Sequence, residues 1–152
     1  MKRFNFWSGV LLAAAFTSSV ALAAPCREVV HKLNATLHPA IDEAELTAIL
    51  NALNTTRNAR LPDNFITKRA ANVDGWQRGH DLWEAPLLKG KSIGGDRFGN
   101  RERQLPGGKW READLDYKGG HRGAKRLVFS YQGQRFITVD HYQTYTEIPA
   151  CQ

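Results

Sequence analysis

The apolar residues of this chain change their period near Pro86, and that change limits the folds open to it. Ahead of Pro86 they recur three and four residues apart, the spacing of one helix face; beyond it, short β-branched and aromatic runs alternate with polar residues between glycine-rich turns. Helical segments followed by strands, rather than interleaved with them, predict an α+β fold with N-terminal helices packed on one face of an antiparallel sheet. The opposite face is then free for polar chemistry. A length of 152 residues suits a single domain.

Between Val29 and Leu37, the spacing of Val30, Leu33 and Leu37 predicts a short helix that Pro39 would end. Asp42 and Glu45 have the spacing of a capping box, and Leu46, Ile49, Leu50 and Leu53 then lay out the apolar face of a second helix. Thr67 is placed to cap a third, running through Arg69 and Ala70 towards Gly75, and Asp81 to Ala85 suits one further turn. Strands are expected over 110–117, 125–130, 134–141 and 145–148. In the first, Ala113, Leu115 and Tyr117 alternate with Glu112 and Asp114, so one face is apolar and the other carries carboxylates.

The start of the chain has the pattern of an export signal: basic Lys2 and Arg3, an apolar run from Val10 to Phe16, and the small-residue site Ala21-Leu22-Ala23. Residues 1–23 are read as a signal peptide, 24–60 as the helical part of the mature domain and 61–152 as its core, with 24–152 forming one domain. Pro25 before Cys26 argues against lipid attachment, and the apolar run is short and interrupted for a membrane anchor, so a secreted protein with no membrane association is expected. Loss of Lys2 and Arg3 lowers the formal charge from +6 to +4, which still suits an anionic partner. A hydrophobic fraction of 42% with 24% charged residues excludes a disordered chain and a multispanning membrane fold. The two cysteines, Cys26 and Cys151, would meet an oxidising compartment and join the ends of the mature chain in one disulfide.

Glu112 on a polar sheet face, His141 near a strand end and the arginines Arg122 and Arg126 supply the groups that metal-free RNA cleavage needs. A base takes the 2′-hydroxyl proton, an acid protonates the departing 5′-oxygen, and fixed cations receive the phosphorane charge. Residue types alone do not select this chemistry, because a histidine and a strand carboxylate are equally at home in structural roles. Gln77-Arg78-Gly79-His80 is similar to the motif of a metal-dependent nuclease in which His80 would activate water, and it also reads as a polar turn. A non-catalytic basic RNA-binding module is a third reading, although it has no need of Glu112 among phosphate-binding arginines.

Three long segments carry a resemblance: GKSIGGDRFGNRERQLPGG at 90–108, WREADLDY at 110–117 and DHYQTYTEI at 140–148, joined by LPDNFITK at 61–68. Together they closely resemble the secreted bacterial guanyl-preferring ribonucleases, the microbial ribonuclease family. The resemblance implies a five-stranded antiparallel sheet and a monomeric, cofactor-free and metal-free endoribonuclease. Its substrate would be single-stranded RNA, cut 3′ of guanosine through a 2′,3′-cyclic phosphate. It implies that Glu112 is the general base, His141 the general acid, and Lys68, Arg122 and Arg126 the phosphate-binding cations. Asn100, Arg101 and Glu102 fall in the family's guanine loop, where backbone amides and the glutamate meet the base. Tyr142 matches a residue that lines the family's nucleotide pocket and equally suits a tyrosine that anchors the strand end, and Phe98 either supports the base or packs the loop. An acidic intracellular protein inhibitor resembling barstar is the implied partner. Gly99 stands where the family has a serine and the turn between Pro106 and Trp110 is shorter, which points to a looser guanine loop; His121 adds a titratable group before Arg122.

Overall fold

A computed structural model describes Arg3, residues 9–18 and residues 21–152. Of the expected export signal, Met1, Lys2 and positions 4–8, 19 and 20 lie outside the described residues, while Val10, Leu11, Leu12 and Phe16 are exposed. Among the described residues, no helix is long and apolar enough to cross a membrane.

Helix α1 (Cys26–Asn34) stops short of Leu37. The Asn34 side chain clips the chain there, donating to the Ile41 carbonyl at 3.1 Å and accepting from the Ile41 amide at 2.8 Å. Helix α2 (Glu43–Thr55) starts where the capping residue places it, with Asp42 accepting from the Glu45 amide at 3.0 Å. The reciprocal half of a capping box is replaced by a longer-range clip: Glu45 accepts from the Asp116 amide and Asp116 accepts from the Asp42 amide, each at 2.9 Å. Helix α3 (Lys68–Val73) is capped by Thr67, and a single 3₁₀ turn over Leu82–Glu84 is capped by Asp81.

The sheet has six strands in chain order, not five: β1 (Phe65–Ile66), β2 (Ser92–Phe98), β3 (Trp110–Asp114), β4 (Arg126–Ser130), β5 (Arg135–Thr138) and β6 (Thr146–Glu147). The extra strand, β1, pairs parallel to β2 because α3 and the short turns carry the chain back over the sheet's end; the other pairs are antiparallel. Strand β2 escaped the alternation rule because its centre is Gly94-Gly95. A Cβ on Gly94 would lie 2.6 Å from Phe65 Cδ1, so the close approach of β1 requires glycine. Gly95, at φ +98°, is the extra residue of a bulge, after which Asp96 stands opposite Glu112.

Two of the helices cover one sheet face, as expected. Val30, Leu46, Leu50 and Leu53 pack with Ala113, Leu127, Phe129 and Ile137. Helix α3 departs from that arrangement: Ala71 belongs to a separate small core with Trp76, Leu82, Leu88, Ile93 and Tyr117. On the face away from α1 and α2, Trp110, Val128 and Leu105 form a third cluster with Phe98, Phe136 and Tyr145. Cys26 and Cys151 are disulfide-bonded, and beside them the Cys26 amide donates to the Gln152 carbonyl at 3.0 Å and the Gln152 amide to the Ala24 carbonyl at 2.9 Å. Asn54 of α2 adds a donor to the Cys151 carbonyl at 3.0 Å.

Candidate active site

Alternation along β3 turns Ala113 into the helix-packed core and leaves Glu112 and Asp114 on the opposite face, where both are buried. Glu112 is 8% exposed, and two groups from distant segments address its carboxylate. The Tyr142 hydroxyl donates to Oε2 at 2.5 Å, and Lys68 Nζ, from the first residue of α3, stands 3.8 Å from Oε1. Lys68 is itself located by its backbone amide, which donates to Asp96 Oδ2 at 3.0 Å. The Gly95 bulge, the Thr67 cap and β3 thus converge on one carboxylate.

Asp114, two residues further along the same face, holds both predicted phosphate-binding arginines. Arg122 makes a two-pronged contact through Nε at 2.6 Å and Nη2 at 2.7 Å. This carboxylate pairing raises the guanidinium's pKa above its ordinary value despite the opposing effect of burial. Arg126 Nε lies 3.0 Å from Asp114 Oδ1, close enough for an ion pair but misaligned for a hydrogen bond. Arg126 is oriented instead by Nη1, which donates to the Gly123 and Lys125 carbonyls. One buried acid therefore fixes two cations beside Glu112. Asp114 was visible in the sequence only as a second carboxylate on a polar face; its role as a clamp depends on where the loop 115–125 returns Arg122.

His141 and Tyr142 sit in the turn after β5 with left-handed backbones, at φ +54° and +70°. Asp140 makes that turn possible. Its Oδ1 accepts from the Thr138 hydroxyl at 2.9 Å and from the amides of Gln143 and Thr144 at 3.1 and 2.9 Å, while Thr144 Oγ1 donates to Oδ2. Thr138 Oγ1 in turn accepts from the Tyr142 amide at 3.0 Å. The result aims Tyr142 at Glu112 and leaves the His141 ring exposed beside it, with ring centroids 4.8 Å apart.

The Thr144 donors, with help from Thr138 and Gln143, hold the Asp140 carboxyl down to about 2. A depressed carboxyl stabilises the fold above its unfolded value of about 3.9, and the contribution is lost as pH falls through the folded value. The protection of the amides at residues 141–144, measured against the intrinsic exchange rate at each pH, is accordingly expected to be flat above about pH 4 and to fall between pH ~4 and ~2, with Asp140 titrating at the bottom of that window. NMR-detected exchange and carboxyl titration measure both.

The predicted base-binding residues line a single cleft together with Glu112, Tyr142 and Tyr145. Phe98 packs on the third core cluster, and its ring stacks on Tyr142 with centroids 5.3 Å apart and an interplanar angle of 22°. Asn100, at φ +45°, spends its side chain on the loop, donating to the Leu105 carbonyl at 2.9 Å and accepting from the Leu105 amide at 3.1 Å. Arg101 and Glu102 are exposed at the rim. Gln104 then ties the loop to the turn carrying His141 and Tyr142 by donating to the Gln143 carbonyl at 3.2 Å. This double tether gives the loop an anchorage that does not depend on residue 99, where a Cβ would find ordinary contact with Arg101 Cγ at 3.4 Å.

Burial and the bond to Glu112 both raise the Tyr142 hydroxyl's pKa, so it stays a protonated donor. His121, before Arg122, is exposed. His80 lies elsewhere, in a turn where its carbonyl accepts from the Trp76 indole at 2.8 Å. Among the described residues, no three His, Cys, Asp or Glu side chains are grouped as metal ligands would be.

With this geometry, comparison with known proteins is informative. The ribonuclease family model matches residues 51–149, and the chain belongs to this family, the barnase-like microbial ribonucleases. Proteins named ribonuclease from Bacillus intermedius and Bacillus pumilus are each 50% identical to it over 97 residues, which is 60% of this chain and 58% of theirs. A ribonuclease from Heyndrickxia coagulans is 50% identical over 97 residues and is covered over 86% of its length. The chain thus spans less than two thirds of the two Bacillus relatives and most of the third.

Proposed function

We propose that this protein is a secreted endoribonuclease that cleaves single-stranded RNA 3′ of guanosine without a metal ion. The reading rests above all on a buried carboxylate, Glu112, held between Lys68 and Tyr142 and lining a cleft, in a member of a ribonuclease family. An acid placed among cations weakens plain phosphate binding and is what deprotonation of a 2′-hydroxyl requires.

In the first step, Glu112 takes the 2′-hydroxyl proton, the 2′-oxygen attacks phosphorus, and His141 gives a proton to the departing 5′-oxygen, leaving a 2′,3′-cyclic phosphate. In the second, His141 takes a proton from water and Glu112 returns one to the 2′-oxygen as the ring opens. Lys68, Arg122 and Arg126 face the charge that grows on the non-bridging oxygens. Phe98 and Tyr142 pack the nucleotide, and the loop 99–102 presents backbone amides and the Glu102 carboxylate to guanine. Adenine would set acceptor against acceptor there. Residues 1–23 direct export, 24–152 act as one monomeric domain, and an acidic protein resembling barstar would protect the producing cell by complementing the basic cleft.

Purified protein given guanylyl- and adenylyl-containing dinucleotides in excess EDTA is expected to release guanosine 2′,3′-cyclic phosphate first and faster. Cleavage that begins only when a divalent metal is restored would overturn the metal-free mechanism and redirect attention to His80. Equal rates on the two dinucleotides would remove the guanine preference and leave the nuclease.

A further inference from the structure

The strand residue next to Glu112 opens a second surface. Arg111 points to the opposite side of β3, and the register sets it directly across from Arg97 on β2. Two cations facing each other across a sheet repel, and such pairs destabilise it. Lys109 adds a third cation to the same shallow depression. Elsewhere the protein pairs its inner cations with carboxylates: Arg122 and Arg126 with Asp114, Lys68 with Glu112, Lys125 with Asp116. Among the described residues, neither Arg97, Lys109 nor Arg111 pairs with a carboxylate.

An aromatic ring completes the depression. Tyr131, just past the end of β4, is 49% exposed, and the Arg111 guanidinium sits 5.0 Å from its centroid. Cations without a carboxylate partner beside a half-exposed aromatic ring are the elements that hold a single-stranded nucleic acid, phosphate on arginine and base on ring. The depression also communicates with the cleft. Arg97, on the stretch of β2 that β1 does not cover, lines both the cleft with Glu112 and the depression with Tyr131.

We propose that Arg97, Lys109, Arg111 and Tyr131 form an auxiliary subsite for flanking nucleotides of a long RNA substrate. The strand leaves the catalytic cleft over the free edge of β2, with Arg97 at the crossing, Arg111 and Lys109 on phosphates and Tyr131 beneath a base. This inference rests on the ribonuclease reading and extends it from the scissile dinucleotide to the polymer.

The test compares a guanylyl dinucleotide with a 12-nucleotide RNA carrying one central guanosine, using wild type, Arg111→Gln/Tyr131→Ala and Arg111→Lys/Tyr131→Phe. For the double truncation, kcat/KM on the 12-mer is expected to fall about tenfold while the dinucleotide value stays within about twofold. Its log–log salt dependence on the 12-mer should become shallower by about 0.7 for the lost cation. The conservative pair should restore both. Equal losses on the two substrates, or an unchanged 12-mer value, would overturn the subsite. Binding of the same labelled 12-mer to Glu112→Gln protein, read by anisotropy, keeps the two readings apart. If wild type cleaves neither substrate, the nuclease reading fails, and the subsite stands or falls on whether Arg111→Gln/Tyr131→Ala weakens that binding. Arg111-dependent attachment to phosphatidylglycerol vesicles with RNA binding unaffected would also overturn it, assigning the patch to an anionic membrane.

Discussion

Replacing Glu112 by glutamine is expected to lower kcat for guanylyl dinucleotide transesterification by about 10²–10⁴-fold, the usual worth of a positioned general base. Glutamine keeps the size of the side chain and an oxygen for the Tyr142 hydroxyl, so the turn carrying His141 stays in place while the proton acceptor is lost. KM should change little, since the substrate's phosphate would still meet Arg122 and Arg126, both held by Asp114. His141→Ala should cost a comparable factor. The double variant should be much less impaired than the product of the two losses, because groups acting in one proton relay are not additive. A Glu112→Gln enzyme with near wild-type kcat would break the proposed mechanism even if RNA were still cut.

The second large effect concerns stability. Converting Cys26 and Cys151 to alanine opens a loop spanning a sequence separation of 125 residues. In the chain-entropy view this costs about 5 kcal/mol, a large part of the ~5–15 kcal/mol that holds a typical domain folded. The structure adds a reason for the loss to fall near that figure. The bridge lies beside the paired backbones of Ala24, Cys26 and Gln152 and is tied to α2 through Asn54. Cys26 itself is 1% exposed within the main core. Urea unfolding of oxidised, reduced and doubly substituted protein, with m-values compared, measures it. A difference under about 1 kcal/mol would show that the terminal backbone pairing holds the ends by itself.

What could be read from the sequence tracks how local the signal is. The second helix announces itself through four leucines and isoleucines and an aspartate cap, and α2 begins one residue after Asp42. Strand β3 follows from alternation, which also put Glu112 and Asp114 on the correct face. By contrast, β1 is two residues long and exists through its pairing with β2, and β2 hides its period behind two glycines whose necessity comes from Phe65 and the bulge. Glu112 and His141 could be singled out because they occupy the positions of the general base and general acid in the family that these segments resemble. Asp96, Asp114 and Asp140 could not, because each acts by holding another residue: Lys68, the arginine pair and the His141 turn. Such supports become visible only when the chain is folded. The depression around Tyr131 lies outside any family-like motif as an ensemble, since its cations come from β2, the loop before β3 and β3 itself.

The single extra residue at Gly95 has a consequence beyond local shape. Up to Gly94 the two strands are in one phase, Gly94 against Ala113; after the bulge Asp96 meets Glu112 and Arg97 meets Arg111. Regular pairing from Gly94 onward would have put Asp96 against Arg111, cancelling its charge, and Arg97 against Trp110 on the face that carries Glu112. The bulge therefore works as a frame shift in the side-chain code of β2: it sorts an alternating acid–base dipeptide so that acid goes to the reaction side and base to the rear. One residue without a side chain thereby decides on which side of β2 each of these two charges falls.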